Sequence, residues 1–315
     1  MSEFDLIRRY FTRSTPLSVL GVGDDAALLQ VGIGMELAVS TDMLVSGTHF
    51  FADADPFLLG HKTLAVNLSD MAAMGATPRW ATLALSLPQA DEDWLQRFSA
   101  GFFALADEHG IELVGGDTTR GPLNLCVTIM GEVPRGKALR RSGAQVGDDI
   151  WVSGSLGTAA LGLAHLQGKM ALPEDARIHC LAALHRPQPR VVLGLALRGV
   201  AHSAIDISDG LLADLGHILE CSQFGAEIEY DHIPQLKPHG IDDSLHRRCV
   251  LAGGDDYELC FTAAPAQRDV IDALAGRLQF PLTRIGSICA GQTCTVRAAD
   301  GSVMKIEEGG YDHFA

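Results

Sequence analysis

The sequence predicts an α/β (α+β) protein of two mixed domains, and three observations predict it. Stretches of strand character and of helical periodicity intermingle in both halves of the chain. The 315 residues exceed what one hydrophobic core usually serves. Residues 134–147, rich in Arg, Lys and Gly, carry no apolar pattern, which puts a boundary close to 138. The expected domains are therefore 1–138 and 139–315.

The elements follow in order. Residues 3–13 place Phe4, Leu6, Ile7, Tyr10 and Phe11 at helical spacing. Leu17–Leu29 reads as a turn followed by a strand, Met35–Thr41 as a strand, and Phe50–Pro56 as a loop. Pro56–Gly75 has helix character, with Leu58, Leu59, Leu64, Leu68 and Met71 along one face. Trp80–Leu87 alternates as a strand does. Asp91–Gly110 opens with acids and closes on glycine, as helices do. Ile111–Val114 is a strand leading to a turn at Gly115-Gly116-Asp117, and Leu123–Val133 is another strand. In the second half, Asp149–Ser153, Ala204–Ile207, Ala226–Tyr230, Glu258–Thr262, Leu282–Ser287 and Thr293–Ala298 read as strands. Thr158–Leu166, Pro187–Val200, Leu211–Cys221 and Gln267–Leu278 read as helices.

Composition narrows the function. The net charge of −15, with no basic stripe, argues against a nucleic-acid partner. An acidic protein that binds an anion needs a cation as intermediary. The seven cysteines are scattered without any Cys-x-x-Cys, which reads as reduced thiols in a cytosolic protein. The acidic N-terminus has no apolar core of a signal peptide, and no apolar run is long enough for a bilayer. The expectation is a cytoplasmic protein with no membrane partner.

The chemistry lies in recurrent aspartates: Asp25 in Gly23-Asp24-Asp25, Asp42 in Ser40-Thr41-Asp42, Asp70 in Ser69-Asp70, Asp117 in Gly116-Asp117, and Asp206 and Asp209 in Asp206-Ile207-Ser208-Asp209-Gly210. Each abuts an apolar run and reads as a strand-end turn. Taken singly, each is explained as a turn or helix N-cap. Together they suggest carboxylates gathered in one cleft, whose repulsion divalent cations relieve. Hard oxygen donors of this kind suit Mg²⁺, which keeps waters and bridges to substrate phosphates. A P-loop is absent, since Gly168-Lys169-Met170 lacks both the spacing and the hydroxyl. Gly21-x-Gly23-x-x-Ala26 imitates a dinucleotide fingerprint, yet Asp24 and Asp25 stand where a pyrophosphate would approach. Arg140 and Arg141 are candidates for a phosphate fork or a solvated linker pair.

The ordered set of motifs resembles the thiamine-monophosphate kinase family. It comprises Gly-Asp-Asp-Ala at 23–26, Ser-Thr-Asp-Met-Leu at 40–44, Gly-Thr-His-Phe at 47–50 and Asn-Leu-Ser-Asp-Met-Ala-Ala-Met-Gly-Ala at 67–76. It continues with Gly-Gly-Asp-Thr-Thr at 115–119, Asp-Ile-Ser-Asp-Gly-Leu at 206–211, Gly-Gly-Asp-Asp-Tyr-Glu-Leu at 253–259 and Gly-Tyr-Asp-His-Phe at 310–314. The resemblance implies a homodimer whose N-terminal domains share a β-barrel, and transfer of phosphate from ATP to thiamine monophosphate. It implies Mg²⁺ on Asp25, Asp42, Asp70, Asp117, Asp206 and Asp209, with Ser40 and Thr41 adding oxygens. ATP would meet Gly116, Asp117, Arg141 and Ser208; the acceptor substrate would meet His49, Glu258 and Tyr311. Aminoimidazole ribonucleotide synthetase is the nearest rival, and a non-catalytic nucleotide-binding protein is a rival of another class.

Overall fold

In the computed structural model, which describes residues 2–306 together with Gly310 and Tyr311, the chain divides into two compact units. The first comprises Met1–Met71 and Ala76–Gly136, the second Ala72–Gly75 and Lys137–Ala315.

The first unit opens with α1 (Glu3–Tyr10). Ser2 and Asp5 form a reciprocal capping box, and Leu6 and Tyr10 turn inward. Then come β1 (Met35–Val45), α2 (Pro56–Ala73), β2 (Thr77–Leu87), α3 (Glu92–His109), β3 (Glu112–Arg120) and β4 (Asn124–Pro134). Asp91 caps α3 by accepting from the Trp94 N–H at 3.0 Å, and Gly110 ends it at φ 64°. The sheet order is β1-β4-β2-β3, antiparallel except where β3 runs parallel to β2. Leu83, Leu85, Leu125, Val127 and Ile129 fill the core side, while Leu37, Val39 and Met43 of β1 stay exposed. Two glycines let α2 and α3 touch backbone to backbone. A Cβ on Gly101 would stand 1.9 Å from the Phe57 carbonyl oxygen, and one on Gly60 2.1 Å from that of Phe98.

The second unit contains β5 (Asp149–Ser153), α4 (Thr158–Leu166), α5 (Glu174–His185), α6 (Val191–Leu197), β6 (Ser203–Ile207) and α7 (Leu211–Ser222). It continues through β7 (Gly225–Glu229), α8 (Asp243–Ala252), β8 (Glu258–Ala263), α9 (Arg268–Leu278), β9 (Leu282–Cys289) and β10 (Cys294–Arg297). Its six-stranded sheet has the order β10-β7-β9-β5-β8-β6. Every residue of β5, β6 and β8 is buried, so these strands lie inside a core that includes Ile150, Ile205, Leu215 and Ile285.

Several expectations need correction. Leu17–Leu29 forms no strand; only the isolated bridges Leu20–Leu28 and Val22–Asp24 survive, because Gly21 and Gly23 interrupt any ladder. β1 continues to Val45, so Asp42 sits within a strand rather than at its end. β3 likewise runs on through Gly115-Gly116-Asp117, with a bulge where Thr82 pairs with Gly115 after Ala81 has paired with Leu113. Asp70 lies in α2. The shared strand-end setting inferred for all these acids is therefore wrong for Asp42, Asp70 and Asp117. Pro187–Val200 is helical only over Val191–Leu197, since Pro187 and Pro189 donate no backbone hydrogen bond. α5 and α8 were not expected at all, although Asp242 caps α8 through the Ser244 and Leu245 N–H groups.

Candidate functional site

In the first unit the core face of β1 meets α2 through polar groups. The Ser40 hydroxyl donates to Asp70 Oδ2 at 2.5 Å, and the Asp42 N–H donates to Asn67 Oδ1 at 3.3 Å. Asn67 is itself held by its side-chain amide donating to the Thr63 carbonyl one turn earlier. Ser40, Asp42 and Asp70 are thus brought together by a strand alternating at period two and a helix repeating at i, i+3. Thr41 points to the other face, where its hydroxyl meets that of Thr128 at 2.9 Å. The Asp42 charge acts on Cys126, whose thiol is raised by burial first and then by that carboxylate.

Asp117 belongs to β3, the opposite edge of the same sheet, where it pairs with Ala84 of β2. Three strand spacings of about 4.8 Å separate β1 from β3. Gly116, at φ 150°, lies so close to β2 that a Cβ would overlap the Leu83 carbonyl. Asp25 is exposed in a turn in which its N–H donates to the Asp24 carboxylate at 2.9 Å. His49 closes a tight turn after β1: its Nδ1 accepts from the Val45 N–H at 2.9 Å.

In the second unit Asp206 is the buried penultimate residue of β6, and after Ile207 the chain turns through Ser208-Asp209-Gly210 into α7. Asp214, one turn into that helix, reaches back to this turn. Its Oδ2 accepts from the N–H groups of Ser208, Asp209 and Gly210 at 3.0, 3.0 and 3.1 Å. Burial, then the neighbouring Asp206 charge, pushes the Asp214 carboxyl up to about 7. The carbonyls of the turn are held as well. Ser208 accepts from the Asp255 N–H at 2.9 Å, and Asp209 from the Tyr311 N–H at 3.1 Å. Tyr311 is exposed; Asp312, His313 and Phe314 of the terminal motif lie outside the described residues.

Asp255 and Tyr257 occupy the left-handed region at φ 71° and 50°, an unusual pair for residues with side chains. Between them the half-buried Asp256 accepts from Gly157 and Ala159 at the start of α4. Burial pushes its carboxyl up to about 8. Glu258, first residue of β8, is engaged by Arg190 and Ser153. Arg141 is exposed, and its carbonyl accepts from the Ser222 hydroxyl.

Comparison with known proteins agrees with this architecture. Residues 23–133 match the family model "AIR synthase related protein, N-terminal domain", and residues 145–299 the corresponding C-terminal domain. A thiamine-monophosphate kinase of Salmonella typhimurium is 48% identical over 320 residues, covering 99% of this chain and 98% of the relative. The crystal structure of thiamine-monophosphate kinase from Stenotrophomonas maltophilia K279a is 53% identical with a TM-score of 0.87, covering 96% of this chain and 98% of that one. AaThiL complexed with AMPPCP and TMP is 29% identical with a TM-score of 0.78, covering 99% and 96%. The chain belongs to the thiamine-monophosphate kinase family. It is an enzyme of that family.

Within each unit, among the described residues, no three His, Cys, Asp or Glu side chains form a ready-made metal cage. Paired hard oxygens such as Ser40 and Asp70 suit Mg²⁺, which needs few protein ligands when phosphates supply the rest. Two residues that shape these loops were missed in the sequence, Asp214 and Arg190. Asp214 had a signal, an acid in the first turn after a Gly break; Arg190, one charge after Pro-x-Pro, had none.

Proposed function

We propose that this protein phosphorylates thiamine monophosphate to thiamine diphosphate with ATP, by direct in-line transfer. The observation that carries the reading is likeness over essentially the whole chain to AaThiL complexed with AMPPCP, an ATP analogue, and TMP, backed by 48% identity to a thiamine-monophosphate kinase. Asp25, Asp42, Asp70, Asp117, Asp206 and Asp209, with Ser40 and Thr41, would hold Mg²⁺, which neutralises phosphate charge. Gly116, Asp117, Arg141 and Ser208 are the ATP-side residues. His49, Glu258 and Tyr311 are the acceptor-side residues, Tyr311 offering a ring face to the thiazolium cation.

Phosphoryl transfer demands positioning and charge neutralisation more than covalent help. The acceptor phosphate, with a second pKa of about 6, is already ionised near neutral pH, so no general base is assigned. The frame around Ser208 and Asp209, tied at its N–H groups by Asp214 and at its carbonyls by Asp255 and Tyr311, supports the positioning role.

Residues 1–138 are assigned to ATP and Mg²⁺ binding and to dimerisation, and 139–315 to the remaining phosphate and substrate contacts. A homodimer sharing a β-barrel is supported by two features of the first unit. β1 and β3 each have one strand neighbour, leaving edges to pair, and Leu37, Val39 and Met43 expose 45, 56 and 55% of their surface on the uncovered face. Seven unpaired thiols accord with a reducing cytoplasm. Among the described residues no helix is long and apolar enough to cross a membrane.

The test is to incubate the full chain with ATP, Mg²⁺ and thiamine monophosphate and to separate the products chromatographically. Thiamine diphosphate and ADP in equal amounts are expected. ADP released only with a ribonucleotide acceptor, or ATP bound with no turnover, would refute the reading. Labelled phosphate trapped on the protein after incubation with labelled ATP would refute direct transfer.

A further inference from the structure

Glu258 heads a strand whose six residues are all buried, and its carboxylate is only 8% exposed. It accepts from the Ser153 hydroxyl on Oε2 at 2.5 Å. Arg190 then forks onto both oxygens, Nε to Oε2 at 2.6 Å and Nη2 to Oε1 at 2.5 Å. The guanidinium stacks 4.8 Å from the centre of the Phe280 ring. Burial works against the Arg190 charge, and the bonds to Glu258 outweigh it. The chain around the pair is fixed too. Arg190 follows Pro187 and Pro189 and caps α6, and the Gly154 N–H donates to the Pro281 carbonyl beside Phe280. Gly154, at φ 62°, leaves the carboxylate its place; a Cβ there would lie 2.0 Å from Oε1.

Buried ion pairs seldom add stability over apolar side chains of equal volume, so this geometry needs another reason. A carboxylate accepts roughly four hydrogen bonds. Three donors are in place, two on Oε2 and one on Oε1, which leaves one acceptor position on Oε1.

We propose that Arg190 is a positioning residue for the acceptor substrate. It holds Glu258 in one rotamer and leaves Oε1 a single acceptor position for one N–H donor on an amino-substituted nitrogen heteroaromatic ring. Thiamine monophosphate carries such a ring. The inference rests on the reading of Glu258 as an acceptor-side residue.

The test compares steady-state kinetics of the full chain with variants, varying thiamine monophosphate and ATP separately. Arg190→Lys keeps the charge and loses the fork. It raises KM for thiamine monophosphate about tenfold, the equivalent of one oriented hydrogen bond, with KM for ATP within about twofold. Ser153→Ala moves the same constant in the same direction by less. The double variant Arg190→Met with Glu258→Met removes both charges at similar volume and so keeps the fold. Its KM for thiamine monophosphate stays high, whereas a purely structural pair predicts its return to the wild-type value. That return, an equal rise in both KM values, or no change in Arg190→Lys overturns the proposal. Wild-type protein that makes no thiamine diphosphate overturns the proposed function instead, so the two failures are told apart.

Discussion

The turn that carries Ser208 and Asp209 depends on one oxygen atom. Asp214 Oδ2 accepts three backbone N–H groups, and Oδ1 takes none of them. Asp214→Ala therefore orphans three donors at once. Gly210 is buried, so its N–H loses a partner that water cannot replace, at about 1–3 kcal/mol. Ser208 and Asp209 are half-buried, where water compensates in part, and the sum comes to about 3 kcal/mol. Asp214→Asn should behave differently. Its amide oxygen can occupy the place of Oδ2 and keep all three bonds, and its NH₂ takes the place of Oδ1. Burial already pushes the Asp214 carboxyl up to about 7, so loss of its charge is a small change. The expected loss is under about 1 kcal/mol. Urea unfolding of both variants, in chelator and followed by circular dichroism, gives the two numbers. An Asn variant as unstable as the Ala variant would refute the claim that one oxygen carries the turn.

Asp256 offers the contrasting case, since Gly157 donates to one of its oxygens and Ala159 to the other. Asp256→Asn must set its NH₂ against one N–H, and should lose about 1–3 kcal/mol in urea unfolding at pH 4, where the folded carboxyl is still protonated. The pH dependence follows from the same group. Its folded carboxyl is pushed up to about 8 from an ordinary 3.8, so between those values the folded chain keeps a proton that the unfolded chain releases. Its contribution to stability therefore falls as pH rises from about 4 to about 8, and the wild-type curve should slope down more steeply than that of Asp256→Asn over this window. Gly101→Ala places a methyl group against the Phe57 carbonyl and should lower stability by roughly 3 kcal/mol or more, seen as a clear drop in Tm. Val39→Lys, on the exposed face of β1, should leave the monomer folded and shift sedimentation toward monomer; an unchanged dimer would count against the shared barrel. Asp42→Asn should abolish turnover with circular dichroism unchanged, because it removes the charge of a proposed Mg²⁺ ligand from a half-buried strand position.

Much of the fold was legible because its signals are local. The capped, acid-opened helix α3 and the alternating β2 announce themselves within a single window of residues. α5 and α8 did not. α5 has no side-chain cap, and α8 lacks a strong apolar stripe, so each is a helix by virtue of packing on α4 and on neighbouring core residues such as Cys180 and Cys249. Leu17–Leu29 failed in the opposite sense. Its apolar residues suggest a strand, but Glu112 holds the Leu17 N–H and the Ser18 hydroxyl. A side chain about a hundred positions away thus takes a backbone N–H that a ladder would have used, and Gly21 and Gly23 interrupt the rest.

The candidate site is read from residue type, and the structure corrects the setting of three of its acids. Asp42, Asp70 and Asp117 were read as turn residues because Gly, Ser and Thr surround them, yet they stand in a strand, a helix and an edge strand. Small residues beside an acid have two physical uses: they form turns, and they let regular backbone pass close to something else. Gly116 is of the second kind, pressed against Leu83, and Ser40 is small enough for its hydroxyl to reach Asp70 across the strand–helix contact. Oxygen donors at regular positions are more rigid than oxygen donors in turns. The proposed alignment of two anionic phosphates would gain from that rigidity, since misplacement of a ligand by even an ångström weakens the alignment on which transfer would depend.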